Sequence, residues 1–384
     1  MLNYMQGIYI HIPFCRKACV YCDFHFSTQL KTKGILVDAI CKEIELQKDF
    51  LQENPPAERE GKLDSIYFGG GTPSVLEKTE LEKIFKTLSE HFTWDKNTEI
   101  TLECNPDDLT KEKLQELKDI GVNRLSIGLQ SFDDAELKWM NRLHTAEESL
   151  ACVKSAQEIG FKNISIDLIY GSAFQTVESW KKTLETALSL KVQHISSYNL
   201  TVEEKTELGH AVKKGKEKAI DDEKSSEQFM VMMDVLQKNG FEHYEISNFA
   251  EKGFEAIHNT NYWKGAKYLG IGPSAHSFNG VARQWNISNN VLYANAINNG
   301  TGFFETETLS KLNRYNEYVL TRLRTKWGCD LNYIKTEFGT KFAEHFTETS
   351  AAFMPTKLQK IDSNYSLTRT GKLLADKIAM QLFM

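Results

Sequence analysis

The sequence predicts an α/β protein in which an open, TIM-like partial barrel of six strand–helix units precedes a helical, winged-helix-like C-terminal domain. Three observations lead there. From residue 7 to about 200, short apolar segments alternate with amphipathic ones and no hairpin turn separates them, the pattern of parallel strands joined by crossovers. There are six such units, short of the eight that close a full barrel. After residue 309 the order becomes helices, a hairpin and a final helix.

Residues 7–14 (GIYIHIPF) read as the first strand, followed by a cysteine-bearing loop and a helix over 35–50. Residues 63–68 form the second, running into GGGTP and a helix over 79–91; residues 99–103 (EITLE) form the third, with a helix over 111–120 ended by Gly121. The fourth spans 124–129 (RLSIGL) with helices over 134–140 and 147–159, the fifth 163–169 (NISIDLI) with a helix over 177–190, and the sixth 194–200 (HISSYNL). These strands are apolar enough to be read as buried on both faces. Residues 203–240 read as helical, 258–302 as an Asn-, Gly- and aromatic-rich stretch without periodicity, and 309–350 as amphipathic helices before a hairpin over 358–367. Two domains are expected, 1–245 carrying the barrel and its site, and 246–384.

Composition narrows the function. With 46 basic and 52 acidic residues the net charge is −6, so no basic excess exists to neutralise a phosphate backbone, and nucleic acid is not expected as a partner. The opening MLNYMQGIYIHIPF carries no basic leader, and no run approaches the ~18 apolar residues of a membrane span. A soluble, cytoplasmic chain is expected. Seven cysteines is an odd number with three crowded together, which is not a disulfide framework. Cys41, Cys104, Cys152 and Cys329 are scattered singly and read as small core residues.

Cys15, Cys19 and Cys22 follow the first strand at C-x3-C-x2-C spacing. Three thiolates on one loop suit a soft metal. A structural zinc site wants four ligands, and no second cysteine pair lies at zinc-ribbon spacing. Three cysteines on a [4Fe–4S] cube leave one iron open. Gly69, Gly70, Gly71, Thr72 and Pro73 end the second strand; such glycines offer successive N–H groups as an anion-binding nest, or mark a tight turn. Glu103 ends the third strand and Asp167 is a charge within an apolar fifth, where a buried carboxylate needs a partner or caps the next helix. His11 reads equally as a core histidine bonded to a carbonyl.

The triad after the first barrel strand resembles the radical S-adenosylmethionine (SAM) superfamily, and HIPFCRKACVYCDF with GIGPSAHS (270–277) narrows the likeness to its coproporphyrinogen-dehydrogenase-like branch, over nearly the whole chain. In that family the open iron chelates SAM, and electron transfer cleaves the sulfonium to a 5′-deoxyadenosyl radical. The resemblance implies a [4Fe–4S] cluster on Cys15, Cys19 and Cys22, and SAM contacts at Tyr9, Tyr21, Gly70, Gly71, Thr72, Glu103, Gln130, Arg142 and Asp167. It also implies an electron donor such as a flavodoxin or ferredoxin.

Two departures separate this chain from the branch's dehydrogenases (HemN) and resemble its heme chaperones (HemW). Phe24 stands where the dehydrogenase has a further cysteine, and only eight residues precede Tyr9. His258 to Trp263 (HNTNYW) fits the chaperone's HNxxYW pattern, so the resemblance implies heme as ligand, His258 as its axial ligand in a loop, and His276 as second candidate. It implies handover to an acceptor protein, including one at a membrane. The alternative is oxygen-independent oxidative decarboxylation of coproporphyrinogen III. Because a cluster on three thiolates needs all three, Cys19→Ser is expected to abolish visible iron–sulfur absorption after reconstitution; unchanged iron content would refute the assignment.

Overall fold

A computed structural model describes residues 5–51 and 62–384. The barrel runs β1 (Gln6–Ile12), α1 (Lys33–Leu46), β2 (Ser65–Gly70), α2 (Lys78–His91), β3 (Glu99–Cys104), α3 (Lys111–Asp119), β4 (Arg124–Gln130), α4 (Asp134–Trp139), α5 (Ala146–Ile159), β5 (Ile164–Tyr170), α6 (Val177–Ser189) and β6 (His194–Asn199). The six strands pair in parallel and in chain order, as expected. The sheet stays open. Helix starts are written locally: Thr145 and Glu148, and Thr176 and Ser179, form reciprocal capping boxes at α5 and α6.

The strands are not apolar on both faces. Ile8, Ile10, Ile12, Ile66, Phe68, Ile100, Leu102, Leu125, Ile127, Ile164, Ile166 and Ile195 are buried in one cluster with helix residues such as Ile40, Leu81, Val153 and Trp180. Their alternates are polar or aromatic: Tyr9 and His11, Tyr67, Glu99, Thr101 and Glu103, Arg124 and Ser126, Ser165 and Asp167, His194 and Ser196. By the period-two geometry of strands these share the inner face. They hydrogen-bond across it, as in Tyr67–Glu103, Ser126–Asp167 and Ser165–His194. The barrel therefore has a polar lumen inside an apolar shell.

The chain continues through α7 (Glu207–Lys213), α8 (Asp222–Lys238), β7 (Glu242–Glu245), β8 (Asn248–Ala250) and α9 (Ile257–Trp263) to β9 (Lys267–Ile271), β10 (His276–Phe278), β11 (Ala282–Asn286), α10 (Asn290–Asn299) and β12 (Phe304–Thr308). The stretch 258–302, expected to be irregular, is thus largely regular. Strand β9 adds in parallel to β1, and β10, β11 and β12 follow antiparallel, while β8 and β7 cover the β6 edge, giving a sheet of twelve strands among the described residues. Gly270 permits the β9–β10 crossing, since a Cβ there would lie 2.0 Å from the His276 carbonyl oxygen. The period failed as a signal because β9, β10 and β11 are only three to five residues long and place Gly270, Ser277 and Gln284 at buried positions.

A second core joins α11 (Lys311–Leu323) to β13 (Cys329–Asp330), α12 (Leu331–Tyr333), α13 (Thr340–Ser350), β14 (Leu358–Ile361), β15 (Asn364–Leu367), α14 (Arg369–Lys372) and α15 (Ala375–Gln381), around Tyr315, Val319, Phe346 and Ile378. This is the expected helix–hairpin–helix order. Backbone bonds from Ile246 N to Arg324 O and Lys326 N to Tyr244 O tie it to the barrel. No helix among the described residues is long and apolar enough to cross a membrane.

Glu43 on α1 fastens the added strands. Its fully buried carboxylate accepts from Tyr293 Oη, from Asn286 Nδ2 at 2.6 Å and from Gly272 N at 2.7 Å. Burial pushes its pKa up to about 7, as it does those of Glu103 and Glu245. A carboxyl harder to ionise folded than unfolded contributes stability below its ordinary value of 4.5 that is lost as pH rises through about 7. The Glu43 contribution, read as the difference in unfolding temperature between wild type and Glu43→Gln, is therefore expected to fall between about pH 5 and pH 8, at about 1.4 kcal/mol per unit of pKa separation, while the buried histidines His11, His243 and His258, whose pKa burial lowers, act in the opposite direction in both proteins. Calorimetry of the two proteins as a function of pH measures that difference.

Candidate cofactor site and adjoining cavity

The cysteine loop leaves the C-terminal end of β1 and returns at Ser27, where Cys15 N donates to Ser27 O at 3.1 Å and Ser27 N to Pro13 O at 2.8 Å. All three thiols are half-buried. Thr72 Oγ1 donates to Cys15 Sγ at 3.4 Å, and Asn105 Nδ2 holds Thr72 Oγ1 at 3.2 Å. Arg142 Nη1 donates to Cys19 Sγ at 3.4 Å, while its Nη2 bonds Asn105 Oδ1 at 2.6 Å and Gly128 O at 2.8 Å. Burial pushes the Cys15 thiol up to about 12 and raises Cys22, against the opposing pull of the Arg142 guanidinium. Tyr21 packs with Met140, Ile169, Leu200 and Leu208 beneath this loop, its hydroxyl against Cys19.

Among the described residues no three acidic, histidine or cysteine groups converge on a point for a single metal ion. A cluster asks for something else, because each thiolate takes a different iron and the sulfurs stand apart. Three thiols on one loop, a guanidinium at Cys19 and a hydroxyl at Cys15 fit that demand. The guanidinium offsets thiolate charge and the hydroxyl donates to the sulfur.

The glycine turn works differently from the nest expected of it. Gly70 N donates to Glu103 Oε2 at 3.1 Å, Gly71 N to Ile12 O at 2.9 Å and Thr72 N to Phe14 O at 2.7 Å, so all three N–H groups are spent within the protein. What the glycines supply is room. Gly70 has φ +110°, and a Cβ would strike the His11 ring at 2.6 Å; one on Gly71 would lie 2.7 Å from Phe14 O and 2.8 Å from Phe14 N.

Around the lumen mouth, Glu103 accepts from Tyr67 Oη at 2.7 Å, and the pKa of about 7 set by burial leaves it part-protonated at neutral pH. Asp167 lies in the lumen rather than capping α6, whose cap is Thr176; it accepts from Ser126 Oγ at 3.3 Å, and burial raises its pKa. Gln130 sits on a β-bulge at φ +67°, a strained backbone of the kind found where a side chain is re-aimed. Tyr9 stacks on Tyr67 with centroids 6.0 Å apart, and its hydroxyl meets His11 Nδ1 at 3.1 Å. His11 Nε2 donates to His25 O at 2.9 Å, the core-histidine arrangement, and burial lowers its pKa to about 4. The structure thus gathers Cys15, Cys19, Cys22, Thr72, Glu103, Arg142 and Asp167 at one barrel end. Tyr67, Arg124 and His194 were missed; their inner-face register was the available signal.

His258 is elsewhere. It stands on α9 rather than in a loop, inside the lumen beneath the Tyr9–Tyr67 stack, its ring 5.0 Å from that of Tyr67. Glu99 receives Ile257 N at 2.9 Å and His258 N at 3.0 Å, capping the helix from across the barrel. Its Nδ1 bonds Ser65 Oγ at 2.8 Å and its Nε2 bonds Tyr262 Oη at 2.9 Å. It is 2% exposed, and burial with Arg124 nearby lowers its pKa to about 3. In this geometry neither ring nitrogen is free for an iron.

A cavity of about 1110 Å³ adjoins the cysteine loop, between β1, β9–β11 and α11–α12. Phe24, 73% exposed, stands beside it two residues past the third cysteine. Tyr262 and Trp263 wall it, though His258 does not.

The radical SAM superfamily model matches residues 9–187. Over 93% of this chain and 92% of that protein, the sequence is 35% identical to the heme chaperone HemW of Lactococcus lactis. The chain belongs to the HemW family of the radical SAM superfamily. Heme chaperone HemW of Bacillus subtilis is 33% identical over 97% of this chain and 98% of its own length. The structure of coproporphyrinogen III oxidase (HemN) from Escherichia coli aligns with a TM-score of 0.84 at 24% identity, covering 99% of this chain and 90% of that one, and shares the fold.

Replacing Gly71 with Ala places a methyl against the Phe14 backbone, where nothing flexible gives way. Gly71→Ala is expected to lose about 1–3 kcal/mol of stability and to retain less iron per chain after reconstitution. Wild-type iron loading would show that the glycine does not set the loop.

Proposed function

We propose that this chain is a heme chaperone that binds heme and passes it to an acceptor protein, with a [4Fe–4S] cluster and exchangeable SAM regulating or driving the handover. The full-length likeness to heme chaperones at 33–35% identity carries the reading. A cavity above the about 300–1,000 Å³ usual for small-molecule sites supports it. Cys15, Cys19 and Cys22 would hold the cluster, and Tyr9, Tyr21, Gly70, Gly71, Thr72, Glu103, Gln130, Arg142 and Asp167 would contour the SAM site. When bound, the cluster supplies one-electron chemistry at an iron that three thiolates leave open.

The chain's own groups prepare that site. Arg142 brings positive charge to the Cys19 sulfur, and Thr72 donates to the Cys15 sulfur, whose thiol burial pushes up to about 12. Glu103, whose pKa burial raises to about 7, would be ionised by a ligand ammonium and so pair with it, or would bond a ligand hydroxyl. The working surroundings are the cytoplasm, with a flavodoxin- or ferredoxin-like electron donor and an acceptor that includes membrane-bound hemoproteins. Coproporphyrinogen decarboxylation is the second reading, and Phe24 stands against it at the place of the dehydrogenase's further cysteine.

Anaerobic reconstitution with iron and sulfide, followed by a spectroscopic hemin titration with and without SAM, tests the proposal. Saturable binding of about one heme per chain is expected, with no protoporphyrinogen IX formed from coproporphyrinogen by the reduced protein. Absent heme binding with consumption of coproporphyrinogen would overturn it.

A further inference from the structure

Heme needs a free axial ligand, flat apolar walls and cations for its propionates. The four histidines at or beneath the cavity differ in how far their ring nitrogens are already engaged. His258 and His11 have both ring nitrogens bonded inside the protein. His25 bonds Asn290 Oδ1 through Nε2 at 2.7 Å. His276 lines the cavity from β10 and makes no ring-nitrogen hydrogen bond among the described residues.

Strand alternation puts His276 and Phe278 on one face with Ser277 turned into the core. Across the pair, Trp285 opposes His276 with ring centroids 6.5 Å apart and Arg283 opposes Phe278. On the facing side stand Tyr318 and Tyr333, stacked at 4.7 Å. Four cationic and three acidic side chains line the cavity of a chain whose net charge is −6. Two of the cations, Arg283 and Arg314, sit in half-exposed pairs with Glu317 at 2.8 Å and Glu337 at 3.2 Å, which a propionate at the rim competes for at small cost.

We infer that heme lies in this cavity with His276 as its axial ligand, Tyr262 and Trp263 forming a wall, and His258 serving as the plug of the barrel lumen. The inference rests on the heme-chaperone reading and names the site within it. It also separates the two halves of the HNTNYW motif: the aromatics face the ligand while the histidine fixes the helix that presents them. Burial and Arg283 lower the His276 pKa, which favours the neutral ring that a metal requires.

The test is a hemin titration of the full chain followed in the Soret region, with circular dichroism to confirm folding. His276→Ala is expected to shift the Soret band and weaken binding by more than about tenfold, since even the outer partners of metal ligands act on that scale. His276→Met should retain heme with a changed spectrum. Wild-type spectrum and affinity in both variants would overturn the inference while leaving the chaperone reading intact. So would loss of heme in His258→Ala at an unchanged melting temperature. Wild-type protein that binds no heme at all would overturn both.

Discussion

Two backbone hydrogen bonds, from Gly71 N to Ile12 O and from Thr72 N to Phe14 O, hold the cysteine loop where the other strand ends can reach it. They cross from the end of β2 to the exit of β1 at a separation that leaves no space for a Cβ on Gly71. From there a chain of bonds runs outward: Thr72 to Cys15, Asn105 to Thr72, Arg142 to Asn105 and to Cys19. Two thiols are thus held by residues that follow β2, β3 and α4. A one-methyl error at the glycine propagates to the cysteine loop because packed backbone has no slack.

The polar lumen makes that assembly expensive and gives it character. Glu103, Asp167, His194 and His258 all lie where burial penalises ionisation, so each is bonded, neutralised or left poised. Beneath the Tyr9–Tyr67 stack the lumen is closed by His258 and by Glu99, whose carboxylate caps α9 by accepting two backbone N–H groups. The apolar stabilisation comes from the outer face, where each buried Ile, Leu or Phe contributes about 1.5–3 kcal/mol. The inner face is thereby free to be chemical.

Much of this was legible along the chain. The six barrel strands announced themselves because their outward Ile and Leu residues recur between helices with local caps. The reading of strands buried in apolar surroundings on both faces missed Tyr67 and Arg124, whose alternation marks them as lumen residues. The segment after α9 was not legible: edge strands such as β12 are held by neighbouring strands rather than by their own apolar pattern, so periodicity carries no information there.

By itself the sequence determined the barrel's strand order, the C-terminal hairpin between helices and the three-cysteine loop, because spacing, capping and amphipathic period act over a few residues. The tertiary structure alone decided which way individual side chains turned. It consumed the Gly70 and Gly71 N–H groups in bonds to Glu103 and Ile12, sent His258 into the lumen between Ser65 and Tyr262, and left His276 facing the cavity. Those outcomes depend on residues up to 193 positions apart, as in the Ser65–His258 bond, and a hydrogen bond across that distance has no local signature for a sequence to carry.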